Sequence, residues 1–180
     1  LRYVLIRKAE FTDEIMVVLV TASPVFPSKR NFVEALRREH PEITTVVQNV
    51  NDRTDSLVLG SKYQVLWGKG YIVDRLCGCS FKISPGSFYQ VNPIQAQKLY
   101  EKAIELADLT GKETVVDAYC GTGTIGMIAS DKAGKVIGVE LNADAVRDAR
   151  NNAKANQIRN IQFYQNDAGK FLVEMAGQDA

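Results

Sequence analysis

The sequence predicts an α/β chain: a small antiparallel α+β domain over residues 1–84, then parallel β-α-β units over residues 85–180. Three observations carry this. Short β-branched runs separated by Gly60, Gly68, Gly70 and Gly78 fill the first part, with a single helical pattern among them. After Gly111, apolar runs alternate with amphipathic helical patterns, as in strands joined by right-handed crossovers. Between these, T-V-V-D-A-Y-C-G-T-G-T-I-G, from Thr114 to Gly126, leads a buried strand through a glycine turn into a helix.

Tyr3 to Arg7 and Ile15 to Thr21 read as strands joined by the polar turn Glu10 to Glu14. Ser23-Pro24 and Pro27 break the pattern. Ser28 is then placed to cap a helix over Lys29 to Glu39, with Phe32, Val33 and Leu36 as its apolar face. Lys29, Arg30, Arg37 and Arg38 decorate that helix, as a solvated face or as phosphate contacts. Ile43 to Val50 is β-branched and short, hence a strand. Val58 to Gly60, Tyr63 to Trp67, Tyr71 to Val73 and Phe81 to Ile83 follow as extended pieces. Ser84 to Pro93 forms a polar-aromatic linker ending in Asn92 as N-cap and Pro93 at the first helical position. The domain boundary is expected there. Helical spacing of Ala96, Leu99, Tyr100, Ala103, Ile104 and Ala107 then runs to about Leu109, with Gly111 as its stop.

In the second part Asp117 ends the first strand, and Lys135 to Val139 forms the next, with Glu140 at its end. Asn142 caps a helix from Ala143 to about Asn156 that turns Val146, Ala149 and Ala153 inward. Ile161 to Tyr164 is a third strand, ending near Asn166-Asp167, and Phe171-Leu172-Met175 begins another helix. Asp117, Glu140 and Asp167 therefore fall at three successive strand ends, where α/β folds bind ligands.

The glycine turn implies a cofactor, because exposed amides at a helix start favour a polar or anionic group. Two cofactors compete. Gly121, Gly123 and Gly126 spell G-x-G-x-x-G with Glu140 downstream, which fits a dinucleotide and an NAD-linked oxidoreductase. Yet Ala118, Tyr119 and Cys120 separate the strand from the glycines. Asp117 would repel a pyrophosphate, but suits the cationic amino-acid end of S-adenosylmethionine. The D-x-x-x-G-x-G order favours the methyl donor.

The 180 residues, 46% hydrophobic and 24% charged, require no disorder, and no apolar run approaches the ~20 residues of a membrane span. The strand-like N-terminus argues against a signal peptide. Cys77, Cys79 and Cys120 are an odd, sparse set, expected in a reducing, cytoplasmic setting. Cys77-Gly78-Cys79 offers two metal ligands where structural zinc takes four, so no metal is expected. Net charge is +1, with 12 basic and 9 acidic residues up to Ser84, and 10 and 12 after it. An RNA footprint would thus be local and in the first part.

S-P-G-S-F-Y-Q-V-N-P, D-A-Y-C-G-T-G-T-I-G and G-V-E-L-N together resemble the uracil-C5 RNA methyltransferases, which make 5-methyluridine in tRNA or 23S rRNA. V-V-Q-N-V-N and V-L-W-G-K-G-Y-I-V-D resemble that family's central domain. The resemblance implies a class I, Rossmann-like S-adenosylmethionine-dependent methyltransferase half-domain preceded by part of the central domain. It implies an RNA partner, 23S rRNA before tRNA, with no membrane and no obligate protein partner. It makes Gln90, Tyr119 and Thr124 cofactor contacts beside Asp117, Gly121 and Gly123. Glu140 becomes the acid for the ribose hydroxyls, and Asp167 lies near the adenine. It also implies a cysteine nucleophile in a D-P-P-R-x-G or later segment, so residues 1–180 are expected to be a fragment inactive by itself. A non-catalytic module binding S-adenosylmethionine or RNA is the alternative.

Overall fold

Residues 1–178 are described by a computed structural model and divide into two units. The first comprises Leu1–Asp74 and Lys82–Gly86; the second comprises Arg75–Phe81 and the chain from Ser87 onward.

The first unit is built on a four-stranded sheet, in the order β1 (Tyr3–Lys8), β2 (Ile15–Thr21), β3 (Ile43–Val50) and β4 (Lys62–Trp67). The apolar run Met16 to Val20 makes β2 an inner strand, with every side chain at most 4% exposed. Helix α1 (Lys29–Glu39) joins β2 to β3 and packs Val33 against Val17, Leu19, Ile43 and Val46. A wholly antiparallel unit was expected. Instead β2 and β3 are parallel, because α1 returns the chain to the starting end before β3 begins. The outer pairs, β1 with β2 and β3 with β4, are antiparallel.

Three local expectations fail here. Ser28 occupies the N-cap position of α1, but at φ 55° its side chain makes no capping bond. Val58 to Gly60 is not a strand, because asparagine side chains take its main-chain groups. Asn49 Nδ2 donates to the Gly60 carbonyl at 2.8 Å and Asn49 Oδ1 accepts from the Gly60 amide at 2.8 Å. Asn51 Nδ2 donates to the carbonyls of Leu57 and Val58. Phe32, assigned to the inner face of α1, is 41% exposed and rests against Phe26.

A hairpin follows, β5 (Ile72–Leu76) and β6 (Cys79–Ile83). Its two turn residues, Cys77 and Gly78, have φ of 47° and 80°, the positive pair that a type I′ turn demands. The C-G-C sequence is thus hairpin punctuation. Ser80, at the tip, is held within the second unit: its amide donates to Asn156 Oδ1 at 2.8 Å, and its carbonyl accepts from Asn156 Nδ2 at 2.7 Å.

The rest of the second unit is a parallel sheet of β7 (Thr114–Ala118), β8 (Lys135–Glu140) and β9 (Ile161–Gln165), in that order. Helices α2 (Pro93–Leu106), α3 (Thr124–Ala129), α4 (Ala143–Ala155) and α5 (Ala168–Gln178) accompany it. Asn92 Oδ1 caps α2 by accepting from the Gln95 amide at 3.0 Å. Asn142 Oδ1 caps α4 by accepting from Asp144 and Ala145. Helix α2 stops before Leu109, because Asp108 takes the left-handed conformation (φ 46°) ahead of Gly111. One core gathers Leu76, Phe81, Tyr100, Met127, Val146 and Phe163, and another Ile137, Val139 and Ala168. Among the described residues no helix is long and apolar enough to cross a membrane.

Candidate functional site

Because β7, β8 and β9 are parallel and in register, their carboxyl ends deliver Asp117, Glu140 and Asp167 to one edge of the sheet. The turn leaving β7 is then shaped by three positive φ values: Tyr119 at 61°, Gly121 at 54° and Gly123 at 81°. The Cys120 amide donates to the Val139 carbonyl at 3.0 Å, pinning the turn to β8, and the Gly123 amide closes it onto the Cys120 carbonyl at 2.8 Å. Positive φ is costly for an aromatic residue, and the pinned neighbour keeps Tyr119 there, 76% exposed.

The two glycines serve different needs. A Cβ at Gly123 would stand 2.7 Å from Phe163 Cζ and 3.2 Å from Ala149 Cβ. At Gly121 a Cβ would meet nothing within 4 Å, so that position offers open backbone to a ligand.

The carboxylates are already committed to main-chain donors. Asp117 Oδ2 accepts from the Gly126 amide at 2.8 Å. Half-buried, it is pushed up to about 6 by desolvation, with that hydrogen bond opposing. Glu140 bridges two loops: Oε2 accepts from the Gly121 amide at 3.1 Å and Oε1 from the Asn142 amide at 2.8 Å. Among the described residues Asp167 is committed only within its own helix start. Its Oδ1 caps α5 by accepting from the Lys170 amide at 2.9 Å. Thr124 opens α3, half-buried, and Gln90 lies half-buried in the irregular segment before α2, outside this hydrogen-bonded cluster.

Cys120 lies within the cluster, shielded from solvent. It is 7% exposed, and burial pushes its thiol up to about 12, with Asp117 and Glu140 adding to the shift. Among the described residues no three His, Cys, Asp or Glu side chains converge to hold a metal.

Some participants are not evident from the sequence. The amides of Gly126 and Asn142 orient the two acids, and only the folded turn brings them there. Phe163 is different: it is the central residue of the third strand, and two glycines, Gly123 and Gly138, leave room for its ring. Alternation along that strand was the available signal.

Residues 109–179 match the family model described as a methyltransferase domain. An uncharacterized RNA methyltransferase of Oceanobacillus iheyensis is 42% identical over 96% of this chain, and one of Halalkalibacterium halodurans 45% over 96%. The chain spans 38% of the length of each. The crystal structure of Pyrococcus abyssi tRNA (uracil-54, C5)-methyltransferase in complex with S-adenosyl-L-homocysteine superposes with a TM-score of 0.74. It is 29% identical, over 90% of this chain and 38% of that one. The second unit has a Rossmann-like methyltransferase fold. In that fold the strand-end cluster lies where cofactors are expected, at the carboxyl edge.

Proposed function

We propose that this chain binds S-adenosylmethionine at the β7–β8 edge and serves an RNA methyltransferase acting on C5 of uridine, in 23S rRNA before tRNA. The observation that carries the reading is the pair of acids fastened to the glycine turn: Glu140 on the Gly121 amide and Asp117 on the Gly126 amide. A carboxylate oxygen accepts more than one hydrogen bond, so Glu140 keeps lone pairs for two vicinal ribose hydroxyls. Asp117, when ionised, complements the cationic amino-acid end. Gly121 lets the ligand approach, Gly123 holds the turn against Phe163, Tyr119 and Thr124 flank the ligand, Gln90 contributes from the segment before α2, and Asp167 approaches the adenine. The RNA methyltransferase relatives and the uracil-C5 activity named for the Pyrococcus protein support the reaction. The first unit, with Gly86 as its last residue, takes the part of the family's central domain.

Uracil C5 is a weak nucleophile until a thiolate has added to C6. Cys120 is buried, Cys77 sits in a hairpin turn with its thiol pushed up to about 11, and burial pushes the Cys79 thiol up as well, so none of the three supplies that thiolate. Residues 1–180 alone are therefore inactive. Calorimetric titration with S-adenosylhomocysteine and with NAD tests the cofactor, and tighter NAD binding sinks the reading. Nucleoside mass spectrometry of 23S rRNA and tRNA incubated with residues 1–180 and S-adenosylmethionine tests the inactivity: no 5-methyluridine is expected, and its appearance would make one of these three cysteines the nucleophile.

A further inference from the structure

We infer that the groove between α1 and β4 of the first unit docks the sugar–phosphate backbone of an RNA, an inference resting on the RNA methyltransferase reading above. The groove holds about 370 Å³, and its walls include Lys29, Arg30, Arg37, Gln64 and Trp67, with Glu34 as its one acid.

Helix stability does not explain the two cations at the start of α1, although it does favour Arg37 in the last turn. Lys29 and Arg30 occupy the first turn of α1, which contains no acidic residue, and a helix dipole disfavours positive charge there. Nor are they neutralised. Lys29 Nζ donates to the uncharged Gln64 Oε1 at 3.2 Å, and among the described residues Arg30 forms no ion pair.

Arg37 adds geometry to charge. Its guanidinium carbon stands 3.9 Å from the centroid of the Trp67 ring. Such stacking engages the face of the guanidinium and leaves its in-plane N–H donors available for a pair of phosphate oxygens. It also covers that ring face, so the groove grips backbone and does not stack a base. The contact is accordingly independent of sequence. A net charge of +1 conceals it, because the acids that balance the total lie mostly elsewhere.

The test is fluorescence anisotropy of a labelled, unmodified tRNA transcript between 50 and 200 mM salt. Wild type is compared with Lys29→Gln/Arg30→Gln and with Lys154→Gln/Arg159→Gln, which removes the same charge from exposed positions of the second unit. Two lost phosphate contacts should lower the slope of log affinity against log salt by about 1.4–1.8 in the α1 pair. The control pair should not change it. An unchanged slope in the α1 pair, with wild type still binding, overturns the groove and leaves the RNA reading standing. Equal losses in both pairs also overturn it, as an effect of bulk charge. No salt-dependent binding by wild type overturns groove and RNA reading together. Displacement by polyglutamate as readily as by unlabelled RNA would assign the groove to an acidic protein segment instead. Circular dichroism and S-adenosylhomocysteine affinity, expected to be unchanged, establish that each variant is folded.

Discussion

The carboxylate of Asp117 accepts a 2.8 Å hydrogen bond from the main-chain amide of Gly126, which ties the end of β7 to the first turn of α3. One donor does not offset the loss of water, and the group titrates near 6. A carboxyl whose folded value is raised favours folding while protonated. Its contribution is therefore full below about pH 4 and lost as pH rises through 6. Relative to Asp117→Asn, wild type should lose about 2–3 kcal/mol of stability between pH 4 and 7. Denaturant titration of both proteins at those pH values measures this. Cofactor affinity should move the opposite way. If the ionised form meets the cationic end of the ligand, S-adenosylhomocysteine binding weakens below pH 6 in wild type only.

Glu140 gives a second expectation. Glu140→Ala removes the acceptor shared by Gly121 and Asn142 as well as the proposed ribose contact. Binding should weaken by about 1.5–3 kcal/mol, the range for hydrogen bonds to a charged group. Calorimetry with S-adenosylhomocysteine decides, and unchanged affinity would reduce Glu140 to a loop brace.

Gly123→Ala combines backbone strain at φ 81° with a clash against Phe163. About 2–4 kcal/mol of destabilisation is expected from the two together. Adding Phe163→Leu should recover the steric part alone, so a double-mutant cycle yields a coupling energy above about 0.5 kcal/mol.

Cys120 should resist alkylation. With its thiol near 12 and its side chain buried, iodoacetamide at pH 8 should modify it only after denaturation. Peptide mass spectrometry reads this directly. Rapid labelling of the native protein would reopen the case for Cys120 as a nucleophile.

The sequence was most legible where the chemistry is local. Asn92 and Asn142 cap helices just as their side chains require, and Ile15–Thr21 and Ile43–Val50 begin and end where the β-branched runs do. Pairing was harder, because strand composition is silent about partners. That β2 and β3 are parallel follows from the helix between them, a clue outweighed by the many short strands nearby. Asparagines defeat the reading of Val58 to Gly60, since Asn49 and Asn51 act through tertiary hydrogen bonds that no local pattern announces. In the site, the residue types were evident at the strand ends. The donors that fix Asp117 and Glu140 were not, because they are main-chain amides and carry no signature.

The hairpin tip carries a consequence for the order of assembly. Ser80 is fastened by both polar atoms of Asn156, a residue 76 positions later. During synthesis the ribosome must deliver α4 through its last turn before that fastening exists. Until then the tip lacks its anchor, although β5 and β6 have long since emerged. The second unit is thus interrupted in sequence but closed in space, and its nascent hairpin should remain open to proteases until Asn156 arrives.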